Sequence, residues 1–154
     1  MADWLPLGGF FLACFATACS GAIFTPGTWY ERLKKPWWRP PNWLFGPAWG
    51  VLFIMIAFSG WLIWQEAGFG LATVLYGIQL VLNFLWSAFF FGMRRPDLAL
   101  YDLMALWVAI LACIIVFAPI SFWGMALMLP YLAWVTFAGW LNFTMLKLNG
   151  PRPA

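Results

Sequence analysis

The chain has 154 residues, of which 65% are hydrophobic and 8% charged, with a formal net charge of +3. A soluble domain carries about a quarter charged residues, so the composition is that of an integral membrane protein, and the length suits one compact unit over residues 1–154. Histidine is absent, and the three cysteines (Cys14, Cys19, Cys113) lie in apolar runs without a CxxC spacing, which argues against a zinc site or a disulfide framework; no metal is expected.

In chain order, Asp3 and a long apolar run without a preceding cation do not form a cleavable signal pattern. A first membrane span is predicted over 5–24, since about twenty residues cross a hydrocarbon layer of ~30 Å. Small residues recur there at every fourth position (Ala13, Thr17, Gly21 and Cys14, Ala18, Ala22), which permits close helix packing or leaves floor space for a ligand near Ala22. Pro26 and Gly27 end the span.

Residues 25–42 form loop 1. Across Lys34–Gly50 the chain reads KKPWWRPPNWLFGPAWG, with Pro36, Pro40 and Pro41 close together. Proline fixes φ, lacks an N–H and disfavours helix in the residue before it, so this segment is predicted to be stiff and non-helical until Trp43 opens a second span over 43–64. Two readings stand open. The tryptophans and cations are an interfacial belt, or they are a lid, with Trp38, Phe45 and Trp49 facing a ligand pocket.

The third span, 70–91, carries Gln79, Asn83 and Ser87 at i, i+4, i+8 with Trp86 beside them. Polar groups facing lipid stay unsatisfied, so this face is expected inside the bundle, either bonding between helices or touching a ligand. A fourth span is predicted over 98–118, with Asp102 one turn inside it, paired or functional. The sequence PISFWG then breaks the apolar run before a fifth span over 123–147, where Pro130 is expected to kink the helix and Trp134, Ala138 and Leu141 form one row. The prediction is thus an all-α bundle of five transmembrane helices. All eight cations fall in loop 1 (Arg32, Lys34, Lys35, Arg39), in loop 3 (Arg94, Arg95) and in the C-terminal segment (Lys147, Arg152), so loop 1 and the C-terminus are expected on the cytoplasmic face.

No phosphate-binding loop, Ser/His/Asp set or metal cluster is present, no cofactor is required and no nucleic-acid partner is expected. The abundant chemistry is indole. Trp49, Trp86, Trp107 and Trp140 lie at similar depth on four helices, with Trp134 deeper, and aromatic walls with a few polar groups suit a small-molecule pocket.

Three stretches, KPWWRPPNWLFGPAWG, YGIQLVLNFLW followed by FFG, and PYLAWVTFAGWLNF, resemble the TspO/MBR family of translocator proteins and tryptophan-rich sensory proteins over nearly the whole chain. The resemblance implies a five-helix, often dimeric bundle in a bacterial membrane, the outer membrane included. It implies porphyrin or haem as ligands, sterols in eukaryotic members, and benzodiazepine-type drugs. Carried over by position, the pocket would comprise Ala22, Trp49, Asn83, Trp86, Trp134, Ala138 and Leu141. Trp49 and Trp134 match tryptophans linked in the family to light-dependent porphyrin breakdown, which leaves enzymatic activity an alternative to sensing or carriage. The sterol motif is altered, with Leu141, Phe143 and Lys147 where the family has Leu, Tyr and Arg.

Overall fold

The computed structural model describes residues 4–23, 28–39 and 42–151, and for residues 20–23, 28 and 42 only the backbone. Among the described residues the regular structure is wholly helical: α1 (Trp4–Ile23), α2 (Thr28–Arg32), α3 (Asn42–Ala67), α4 (Leu71–Ser87) continued by a π-helical turn (Ala88–Gly92), α5 (Pro96–Phe117), α6 (Phe122–Ala126) and α7 (Leu129–Asn149). Among the described residues four stretches are long and apolar enough to cross a membrane: Trp43–Ala67, Leu71–Gly92, Pro96–Phe117 and Phe122–Asn149. Helix α1 has 20 residues, but its apolar stretch with described side chains, Trp4–Cys19, is shorter than the others. Four of the five expected spans are therefore seen at full length.

Local chemistry explains where the boundaries differ from expectation. Helix α5 starts at Pro96, two residues early, because a missing N–H costs nothing in a first turn. Arg95 donates from Nε and Nη2 to the Asp97 carboxylate at 2.8 and 2.7 Å and closes that turn. Before it, Met93 N–H donates to Ala88 O at 2.8 Å, the wide i→i−5 pattern of a π turn, and Arg94 takes a left-handed φ of 55°. The predicted kink at Pro130 is instead a break: α6 ends at Ala126, and Pro130 falls in the first turn of α7.

Apolar attraction between helices is weak in lipid, so close packing and internal hydrogen bonds must hold the bundle. Helix α5 packs on α4 and α7, and α1 on α3 and α4. Ile56, Ile110, Cys113, Phe117, Met128 and Tyr131 are fully buried between them. Gly60 admits the rings of Phe10 and Tyr76, both of which would lie within 3 Å of an added Cβ. Ser59 Oγ donates to Gly124 O at 2.6 Å and ties α3 to α6.

Loop 1 contains the short helix α2, which proline chemistry did not anticipate, followed by non-helical residues 33–39 as expected. Trp29, Tyr30 and Leu33 are buried against Phe90, Leu141 and Met145. Asn149 clasps Lys34 at both backbone atoms: Lys34 N–H donates to Asn149 Oδ1, and Asn149 Nδ2 donates to Lys34 O, each at 2.8 Å. The described part of loop 1 therefore sits at the same end of the bundle as the end of α7.

Candidate functional site: an aromatic cavity beneath loop 1

The polar face of α4 turns inward: Gln79, Asn83 and Ser87 are all buried. Tyr131, from α7, completes it. Asn83 Nδ2 donates to Tyr131 Oη at 2.7 Å, and Tyr131 Oη donates to Gln79 Oε1 at 2.8 Å. One turn nearer loop 1, Trp86 Nε1 donates to Asn142 Oδ1 and Asn142 Nδ2 to Pro96 O, both at 3.0 Å. These bonds lock α4, α5 and α7 into a rigid wall and fix the Trp86 ring.

Facing that wall across a gap are α3 and α1. The gap is a cavity of about 590 Å³ lined by Phe45 and Trp49 from α3, Asn83 and Trp86 from α4, and Trp134, Ala138 and Leu141 from α7. Phe53, Phe90, Phe91, Asn142 and Met145 complete much of the remainder, with Cys14 and Thr17 from α1. Trp49 and Trp134 meet edge to face at 6.2 Å between ring centres, Trp49 also meets Tyr131 at 6.3 Å, and Phe45 meets Trp134 at 5.8 Å. The Trp134 Nε1 atom is buried without a hydrogen-bond partner among the described residues.

Among the described residues no charged side chain lines the cavity. Tyr30 is among the lining residues, and the loop 1 cations Lys35 and Arg39 lie beside it. Lys35 Nζ lies 4.9 Å from the Tyr30 ring centre and donates to Glu31 O and Leu33 O at 3.1 Å. Burial pushes the Tyr30 hydroxyl pKa up, and the neighbouring Arg39 opposes that shift. Burial and Arg39 lower the Lys35 pKa, and Glu31 opposes them.

Several candidates fall elsewhere. Trp38 packs edge-on against Phe137 at 5.8 Å and is not in the lining. Phe143 is 44% exposed on the outer side of α7, with Lys147 Nζ 5.5 Å from its ring centre, so the Leu141, Phe143, Lys147 pattern is split between the cavity and the outside. The side chain of Ala22 lies outside the described residues. Trp140 faces outward at 65% exposure, and Trp107 Nε1 donates to Thr136 Oγ1 at 2.8 Å away from the cavity. Asp102 is buried, and its Oδ2 has no partner among the described residues.

Residues that sequence reasoning passed over include Tyr131, Asn142 and the pair Phe90 and Phe91. Asn142 lies four residues after Ala138, and that spacing was a usable signal. Phe90 and Phe91 depend on the π turn, for which no signal existed.

The TspO/MBR family model matches residues 10–148. The chain belongs to the TspO/MBR family. It is 40% identical over 151 residues to a tryptophan-rich sensory protein of Cereibacter sphaeroides, covering 98% of this chain and 96% of that one. It is 43% identical over 143 residues to the tryptophan-rich protein TspO of Chlorobaculum tepidum, covering 88% and 90%. Similarity extends to the translocator protein of Bos taurus, at 38% over 157 residues, covering 97% and 93%. TspO/MBR membership and the apolar helices together fit a multi-pass membrane protein.

Proposed function

We propose that this TspO/MBR protein binds tetrapyrroles of the haem pathway in the cavity, as a sensor or carrier. The observation that carries the reading is the cavity: about 590 Å³ bounded by Trp49, Trp86 and Trp134, with Asn83 and Asn142 as polar groups and no charge among the described lining residues. Small-molecule pockets run to roughly 300–1,000 Å³ and are built this way. Indole faces and edges suit a flat conjugated ring. The carboxylate arms of such a ligand fit the loop 1 end, where Lys35 and Arg39 flank Tyr30. Relatives are named for sensing and for translocation, and both roles need a pocket without a catalytic set.

The same reading takes α1 as the fifth span, because 20 helical residues reach about 30 Å. Loop 1, Arg94, Arg95 and the end of α7 then share the cytoplasmic face of a bacterial membrane. A homodimer fits the face of α4 at Gly77 and its N-terminal cap Gly70, where an added Cβ would meet nothing within 4 Å among the described residues. Benzodiazepine-type drugs suit the same cavity, whereas a sterol would meet Phe143 and Lys147 from the lipid side. A thermal-shift panel of protoporphyrin, haem, cholesterol and a benzodiazepine tests the reading. The first two are expected to raise the melting temperature, and no shift with either refutes it.

A second reading is photo-oxidative porphyrin breakdown, favoured by the Trp49–Trp134 contact at 6.2 Å on the cavity wall. It requires a product spectrum that forms only with light and oxygen and is lost in Trp49→Phe.

A further inference from the structure

The cavity is open on its lipid side. Helices α1 and α3 are held together in the half of the bundle away from loop 1, where Trp4 stacks on Trp61 and Phe11 meets Phe58, both at 5.3 Å. Nearer loop 1 the described side chains leave a slot between the two helices. Its α3 edge is Gly46, Gly50 and Ile54, at i, i+4, i+8, and its α1 edge is Phe11, Phe15 and Ala18. All six line the cavity, yet Phe15 is 66% and Ile54 52% exposed, and Ala18, Gly46 and Gly50 are exposed as well. A residue that is both cavity wall and outer surface marks a mouth. Among the described residues a Cβ on Gly46 or Gly50 would meet nothing within 4 Å, so neither glycine is closed over by a described neighbour.

The depth of this mouth decides what passes through it. Ile54 lies about 18 Å along α3 from Asn42 at 1.5 Å per residue, well inside a hydrocarbon layer of ~30 Å. None of these six edge residues carries a polar side chain. The described part of loop 1, by contrast, is packed down, with Trp29, Tyr30 and Leu33 buried and Lys34 clasped by Asn149.

We propose that ligands enter and leave sideways from the bilayer through the slot between α1 and α3, with Gly46 and Gly50 setting its width. This rests on the cavity being the tetrapyrrole site, and it narrows the ligand class to flat amphiphiles already dissolved in the membrane. Such a molecule keeps its carboxylates at the interface and its ring in hydrocarbon. Moving sideways carries the ring in at the level of Gly50 and leaves the acids at the level of Lys35 and Arg39. No charge is dragged through the apolar layer, where charges are costly.

The test is stopped-flow tryptophan quenching by protoporphyrin with the protein in lipid nanodiscs. The association rate is expected to follow the ligand's mole fraction in the bilayer. Gly50→Leu is expected to slow association at least tenfold and Phe15→Ala to speed it several-fold, while Asn149→Ala, which frees loop 1, leaves it unchanged. If Gly50→Leu does not fold, Gly46→Leu narrows the same edge one turn closer to loop 1. A rate that follows aqueous ligand and rises in Asn149→Ala overturns the proposal, as does a Gly50→Leu effect confined to dissociation. If the wild type shows no saturable quenching, the tetrapyrrole reading fails instead. The slot is then judged with lipids brominated at mid-chain, which should quench the wild type more than Gly50→Leu; equal quenching overturns it.

Discussion

Replacing Ala138 with leucine tests whether the cavity is a binding site or only a packing gap. Ala138 is 9% exposed, lines the main cavity, and backs onto a void of only about 10 Å³ beside Leu103, Leu106 and Val135. That void is about the size of one water probe, so it cannot take the added carbons. The leucine must therefore project into the 590 Å³ space between Trp49, Trp86 and Trp134. Because that space is open, the fold itself should lose little stability, whereas a ligand filling it would meet an overpacked wall. Overpacking costs about 1–3 kcal/mol, which corresponds to roughly a five- to 150-fold loss of affinity. Both quantities are read on one preparation, affinity from the absorbance shift of added protoporphyrin and stability from a thermal melt. Unchanged affinity would place the ligand elsewhere. A lowered melting temperature with intact affinity in the folded fraction would make Ala138 a helix-packing residue only.

Gly60→Ala is expected to lower stability by about 1–3 kcal/mol, since its Cβ would strike the rings of Tyr76 and Phe10. Gly50→Ala, which meets nothing, should lose none; equal melting curves would refute the packing account. Tyr131→Phe removes two interhelical hydrogen bonds, to Asn83 and Gln79. At about 0.6 and at most about 1.7 kcal/mol each in membranes, the loss should be about 1–3 kcal/mol by thermal or denaturant unfolding. If Lys35 holds a ligand carboxylate, its lowered pKa makes binding weaken as pH rises through a value below that of an ordinary lysine. Lys35→Arg should retain binding to higher pH, and identical pH profiles would contradict the assignment. In a cysteine-free background, Trp37→Cys and Arg94→Cys should be labelled from one side of the membrane and Phe69→Cys from the other; labelling of all three from one side would sink the topology.

The inward turn of Gln79, Asn83 and Ser87 was legible because polar side chains at i, i+4, i+8 have only one tolerable direction in lipid. The row Trp134, Ala138, Leu141 followed from the same helical period. Depth alone was a poorer guide. Trp140 shares the level of the cavity but lies two residues from Ala138, about 200° around the helix, and so faces lipid. Phe143 is displaced from Leu141 in the same way, which divides the sterol-like pattern. The role of Tyr131 was hidden because its hydroxyl bonds to another helix. Phe90 and Phe91 reach the cavity through a π turn whose hydrogen bonds no local pattern announces. Pro130 was misplaced because the chain breaks at Leu127 and Met128, making it a helix-starting proline.

The reading at stake is that a tetrapyrrole sits in the cavity against the touching pair Trp49 and Trp134. The most direct measurement is an equilibrium titration of the protein in nanodiscs with protoporphyrin, following tryptophan fluorescence in the wild type, Trp49→Phe and Trp134→Phe. Saturable quenching at one ligand per chain is expected in the wild type, with a smaller saturable component in each variant. Quenching that never saturates and is the same in all three proteins would place the ligand in the lipid and contradict it.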